Sequence, residues 1–224
     1  MSTHGYNETN SHIATGSLNS NYFEISVVQH PVRARMCGFG EKDRRPIDPP
    51  PAVQLKLFDQ NWEPVEFTEA QASSMIMSVS LWSQDGHQLC NLVIDPSSIP
   101  ASNNASYDKG ISVLSLREPR MIKNLIGTTI SSSFFLLDHN NKNGIFFIFN
   151  DLSVRTEGSI DMNSSVFAEV ISDVFEVYSA KRFPGMTPST SLSKAFSEQG
   201  IRIPIRTKAR IKKKPSMVLE ERCI

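Results

Sequence analysis

The amino-acid sequence predicts an antiparallel β-sandwich with one short helix near its end. Three observations carry this expectation: many apolar or alternating runs of strand length, clusters of turn-forming residues between them, and only one stretch, residues 188–200, with helical spacing. No segment repeats at a fixed period.

Taken in order, residues 1–20 are rich in Ser, Asn, Thr and Gly and poor in apolar side chains, so they are expected to form a flexible tail. Residues 22–28 read as a strand. Pro49, Pro50 and Pro51 force an extended approach into residues 53–57, which alternate apolar and polar and so describe a strand with one wet face. Residues 75–82 form a further strand, turned by Gln84, Asp85 and Gly86 into residues 88–94. Residues 96–110 read as a polar loop. Residues 125–137 are long enough for a bent or paired strand, and the turn-rich run 138–144 leads into residues 145–149, a heavily buried second arm of a hairpin. Residues 175–178 and 201–205 are the last strand candidates. Between them the helix has Pro188 near its first turn, Leu192, Ala195 and Phe196 on one face, and Gly200 at its stop.

With 224 residues, 39% of them apolar and 21% charged, the chain can bury one sizeable core. One domain over residues 21–207 is expected, between the polar tail 1–20 and a basic tail 208–224. The longest apolar run, 145–149, falls far short of the ~18 residues of a membrane helix, and the first 20 residues lack an apolar signal core; a soluble protein with no membrane partner is expected. Cys37, Cys90 and Cys223 are odd in number and widely spaced, which fits reduced thiols.

Net charge is zero, but the charges are segregated. Between Ile201 and Pro215 there are seven cations and no acid; between Arg33 and Arg45 there are five cations against Glu41 and Asp43. Residues 33–51 near the front, and residues 181–186 with 199–206 near the back, are basic, conformationally restrained loops that adjoin strand-like runs, so their cations are held on a scaffold. Such a surface asks for a polyanion. Catalysis finds little support: His4, His12, His30, His87 and His139 are scattered without metal-ligand spacing, and no Cys-x-x-Cys, Gly-x-Ser-x-Gly or phosphate-cradling glycine loop occurs. No enzyme, cofactor or metal is expected.

Three long motifs resemble the velvet family of fungal regulators: residues 33–51, residues 144–158, and Lys181-Arg-Phe-Pro-Gly-Met186 followed by residues 189–193 and 198–200. They stand in the family's order, and the resemblance covers residues 22–210. The run Met36-Cys-Gly-Phe-Gly40 is most similar to the VelB-type branch. The resemblance implies an immunoglobulin-like sandwich like the Rel-homology domain of NF-κB, binding DNA through loops at one end. It also implies homodimers or heterodimers with other velvet proteins, a nuclear location with a cytoplasmic pool, control of sporulation and secondary metabolism, and, for one member, contact with a nuclear methyltransferase-like regulator. This chain departs from the family after Gly158, where residues 159–173 are roughly ten residues shorter, about one strand and its connection. Residues 166–171 are expected to take the vacated strand position.

The front loop then supplies Arg33, Arg35, Lys42, Arg44 and Arg45 as candidate DNA contacts, with Gly38 and Gly40 admitting close backbone approach. The plainer reading is a solvated loop whose cations pair with Glu41 and Asp43. Lys181 and Arg182, directed by the Phe-Pro-Gly turn, are a second candidate DNA-facing pair, against a solvated strand end. Lys208, Arg210, Lys212, Lys213 and Lys214 resemble a nuclear import signal, against a tail that serves solubility. Arg155 and Glu157 are expected to form a structural ion pair. Phe146, Phe147, Phe149, Trp82 and Phe196 are expected in the core. The alternative function is a dimerisation module that delivers or stabilises a velvet partner, which itself reads the DNA.

Overall fold

The computed structural model describes residues 12–18, 21–40, 44–66, 75–99, 118–165 and 169–207. Its strands are β1 (Ile13–Leu18), β2 (Asn21–Gln29), β3 (Arg33–Arg35), β4 (Ala52–Phe58), β5 (Ile76–Ser83), β6 (Leu92–Ile94), β7 (Met121–Lys123), β8 (Leu125–Gly127), β9 (Ile130–Leu137), β10 (Asn143–Ile148), β11 (Leu152–Val154), β12 (Gly158–Ser165), β13 (Glu169–Ile171) and β14 (Phe175–Tyr178), and its helix is α1 (Ser191–Glu198). The main sheet runs β1-β2-β4-β10-β9-β5-β12-β14-β3, with β13 on β12; β8–β11 and β6–β7 are separate two-stranded ribbons. All its pairings are antiparallel except β14 with β3.

The strands form where inward positions alternate. In β2 and β4, Phe23, Ile25, Val53 and Leu55 point inward, while the cross-strand neighbours Glu24 and Lys56 face out and pair at 2.7 Å. β5 and β9 share three residue pairs, Ile76 with Ser132 through Ser78 with Ile130, and around this junction the sheet curls. Side chains from both halves then meet in one core, Phe23, Ile25, Leu55, Ile145 and Phe147 with Leu81, Met162, Phe175 and Val177. At the far side of the curl β13 comes to lie against β1 and β2.

β10 is buried on both faces, as its unbroken apolar run requires. Ile145 and Phe147 enter the main core, whereas Phe146 and Ile148 are covered by Leu192 and Phe196 of α1 and by Ile203. The Phe146 and Phe196 rings lie 4.9 Å apart at a tilt. Thr190 caps the helix, its hydroxyl accepting the Ser193 N–H at 3.0 Å, so Pro188 precedes the cap rather than occupying the first turn. The buried amide of Gln29 in β2 holds this end: its Nε2 donates to the Pro50 carbonyl at 2.6 Å and to Ser193 Oγ at 3.0 Å, and its Oε1 accepts from Thr190. Gly200, at φ +96, follows the helix.

Several segments differ from the sequence expectation. Residues 13–18, expected within a flexible tail, pair antiparallel with β2 over six residues, and Gly16 leaves room for the Phe23 ring across from it. Residues 201–205 form no strand: Pro204 lacks an N–H, and the segment serves as a cover whose Ile203 fills the core under α1. Residues 125–137 split at Gly127, at φ +108, into β8 and β9, which lie in different sheets. Residues 88–94 shorten to β6, and Leu89 only bridges Trp82. Of residues 166–171, Glu169–Ile171 form β13 on β12 and Val170 is buried, while 166–168 lie outside the described residues. Phe146, Phe147, Phe149 and Phe196 are core; Trp82 is half-buried on the outer face, its Nε1 donating to Ser80 Oγ at 3.0 Å.

Candidate nucleic-acid interface

The pairing pattern gathers four connections at one end of the sheet. β3 and β14 run parallel, so Arg35 and Tyr178 finish side by side; β12 is antiparallel to β14 and β5 to β12, so Gly158 and Ser83 lie at the same end. The loops after β3 and β14, the β5 turn at residues 84–88 and the turn at residues 155–157 therefore share a surface. The basic front loop and the Lys181–Arg182 turn both emerge there.

The front loop is pinned at both limbs. Leaving β3, Met36 N–H donates to the Tyr178 carbonyl at 2.8 Å, Cys37 N–H to Val154 at 2.9 Å and Gly38 N–H to Arg155 at 3.1 Å. Returning, Ile47 N–H donates to Leu152 at 2.7 Å and Ser153 Oγ donates to the Arg45 carbonyl at 2.8 Å. The short strand β11 thus splints the loop. Arg155 ties it further: Nε donates to the Lys123 carbonyl at 2.8 Å, Nη1 to Gly38 at 3.0 Å, and the guanidinium sits 6.0 Å from the centre of the Phe39 ring. Gly38 stands at φ +66, which favours glycine. Burial pushes the Cys37 thiol up, opposed by the positive charge of Arg155, Arg44 and Arg35, three cations close enough to act on one sulfur.

Of the predicted contacts, Arg33 and Arg35 lie on the face of β3 opposite the buried Ala34, beside Glu176 and Tyr178 of β14. Nε of Arg33 is buried without an acceptor among the described residues. Arg44 folds back onto the chain: Nη2 reaches Asp151 Oδ1 at 2.7 Å and the Asp151 carbonyl at 3.2 Å. Its partner among the described residues is thus a distant carboxylate; Glu41 and Asp43 lie outside them. Arg45 is exposed. Lys42 lies outside the described residues, as do Lys208, Arg210, Lys212, Lys213 and Lys214. Lys181 is exposed and makes no ion pair among the described residues.

Arg182 pairs with Glu157, Nη2 to Oε2 at 2.6 Å, and that carboxylate raises its pKa. The expected Arg155–Glu157 ion pair therefore does not form. Arg155 is taken by two carbonyls, and Glu157 faces the neighbouring turn and its arginine. A second correction concerns Arg206, one of the seven cations of the back stretch. It turns inward and pairs with the buried carboxylate of Asp48, which also accepts the hydroxyl of Thr187 at 2.7 Å.

Sequence reasoning missed Asn124. Only 3% exposed, it donates to the Cys90 carbonyl at 3.0 Å and accepts from Thr156 N–H and Oγ1 at 3.2 and 3.1 Å, so it fixes the 155–157 turn. No local pattern marks such a residue, because its partners lie 32 to 34 positions away. Also unforeseen is the meeting of His12 and His30 with Asp173 beside β13.

Comparison with known proteins agrees with the motifs. The family model described as Velvet factor matches residues 23–210. The chain is 31% identical to a velvet complex subunit of Aspergillus flavus and 30% identical to one of Emericella nidulans, in both cases over 82% of this chain and 78% of the relative. It is 28% identical to velvet complex subunit 2 of Cochliobolus heterostrophus, over 82% of this chain and 85% of that protein. The alignments span more positions than the part of this chain that they cover, so the relatives carry insertions within the shared region. With the family model matching most of its length and its three motifs in order on this all-β framework, the chain belongs to the velvet family.

Proposed function

We propose that this protein is a sequence-specific DNA-binding transcriptional regulator of fungal development, sporulation and secondary metabolism, acting as a velvet homodimer or heterodimer. The observation that carries the reading is the convergence of the splinted front loop and the Lys181–Arg182 turn at one end of a rigid β framework. Cations held this way lose little entropy on docking; arginines suit guanine edges in the major groove, and lysines neutralise phosphates. Relatives named as subunits of a velvet complex favour other velvet proteins as partners, and a nuclear methyltransferase-like regulator is a further partner of this reading. The basic run from Lys208 to Lys214 serves nuclear import, with a cytoplasmic pool before entry. The family context, with no catalytic motif in the sequence, supports a role without an enzymatic step.

A second reading has Arg44 in its favour: a cation engaged by Asp151 within its own chain suits an interaction module whose partner reads the DNA. One experiment separates the two. The purified chain is mixed with a duplex selected from a random library, in the presence of excess random DNA. Retardation by the chain alone is expected; retardation only after a co-expressed velvet partner is added would establish the second reading in its place.

A further inference from the structure

Two histidines 18 positions apart in sequence and one distant aspartate meet where the sheet curls closed, at the seam between the β1–β2 edge and β13. His12 Nε2 lies 3.1 Å from Asp173 Oδ1, and His30 Nδ1 lies 3.4 Å from Asp173 Oδ2. The ligand atoms all fall within 4.8 Å of one another, and the two rings meet edge to face. The opposite nitrogen of His12, Nδ1, stands 2.9 Å from the Ile171 carbonyl. That acceptor holds a proton on Nδ1 and leaves the Nε2 lone pair aimed at the carboxylate, the outer-shell arrangement that orients metal-binding imidazoles. On His30, Nδ1 accepts the Asp173 backbone N–H at 2.9 Å, so its lone pair is turned toward Asp173 and is engaged by that amide.

From this geometry we infer a site for a divalent transition metal, zinc foremost, held by His12 Nε2, His30 Nδ1 and the Asp173 carboxylate, with water completing the shell. The donor set of two imidazoles and one carboxylate suits zinc, and metal–ligand bonds of about 2.0–2.1 Å give a tetrahedron with edges of roughly 3.3–3.4 Å. The two observed nitrogen–oxygen separations, 3.1 and 3.4 Å to the two different oxygens of the carboxylate, lie near that edge. Closing the remaining gap needs side-chain rotation and release of the Asp173 N–H from His30; the exposed Asp173 side chain, at 58%, has room to move. The metal would fasten His12, and with it β1, to the β13 side of the seam. The competing arrangement is a metal-free clasp in which His12 carries both protons and bridges Ile171 and Asp173.

The test uses the full chain stripped with chelator and titrated with zinc chloride by calorimetry, alongside thermal unfolding. One saturable site is expected, with Tm rising by roughly 5–10 °C at a zinc concentration about 100-fold above Kd. His12→Ala, His30→Ala and Asp173→Asn should each abolish it, and His139→Ala should not. Because a variant could fail to fold, cobalt substitution of the unaltered chain gives a second readout. The intense visible bands of a tetrahedral site without thiolate charge-transfer absorption are expected. No saturable binding, zinc binding that persists in all three variants, or a thiolate signature from Cys37 or Cys90 would each overturn the inference.

Discussion

Arg206 donates to the carboxylate of Asp48, which is 1% exposed, and so ties the segment after the helix to the prolines that close the front loop. Asp48 is enclosed by Arg206 and Thr187, and its backbone pairs with Arg33 in both directions. Removing the cation leaves a buried negative charge with only hydroxyl and amide donors. Arg206→Ala should therefore lower stability by about 3 kcal/mol, read as a reduced urea midpoint at unchanged m. A change within experimental error would show that the pair is solvated and structurally idle.

Phe196, wholly buried against Phe146, anchors the helix on β10. Phe196→Ala should cost about 3–5 kcal/mol by lost burial and a residual cavity, whereas Lys194→Ala on the exposed face should stay within about 0.5 kcal/mol. Equal effects in denaturant unfolding would place the helix off the sheet.

Two aspartates should make stability depend on pH in opposite senses. The Arg120 guanidinium and the Ser97 hydroxyl and N–H hold the Asp95 carboxyl down from its ordinary 3.8 to about 2. Its folded pKa lies below its unfolded one, so its contribution is present above pH 3.8 and is lost as pH falls toward 2. Asp95→Asn should flatten that acid limb. Burial pushes the Asp161 carboxyl up, and its Oδ1 finds no hydrogen-bond partner among the described residues. Its sign is reversed: the ionised form opposes folding once pH exceeds the unfolded value. Asp161→Asn should raise the melting temperature at neutral pH and leave it nearly unchanged in acid, and a neutral-pH decrease would contradict this.

The acids that engage the candidate DNA-binding arginines make a further prediction. On the proposed reading, Glu157 and Asp151, paired with Arg182 and Arg44, would compete with phosphate for them. Glu157→Gln and Asp151→Asn should strengthen DNA retention severalfold and steepen its salt dependence, with little change in melting temperature because the pairs are exposed. Weaker retention in both variants would mean that the pairs shape the surface instead of masking it.

Much of this architecture was legible in the sequence because it is written in short-range periodicity. The alternation of residues 53–57, the turn-rich run before Ile145 and the helix expected after Pro188 each correspond to an observed element. What escaped is what depends on partners far along the chain. Residues 13–18 sit within a Ser-, Asn- and Gly-rich stretch that conceals their strand character, and they pair with the β2 edge. Arg206 and Arg155 look like surface cations until Asp48, Gly38 and Lys123 are brought to them across 158, 117 and 32 positions. The site followed the same rule: its basic composition was plain, but which cations are consumed internally was not, since spacing carries no information about distant carboxylates.

The central claim is that the cations at this end of the sandwich neutralise DNA phosphates, and the salt dependence of binding tests it most directly. The affinity of the unaltered chain and of a Lys42→Ala, Arg44→Ala, Arg45→Ala triple variant for one duplex would be measured across a salt series. The slope of log K against log salt should fall by about one unit for each phosphate contact removed. An identical slope in a folded triple variant would contradict the account.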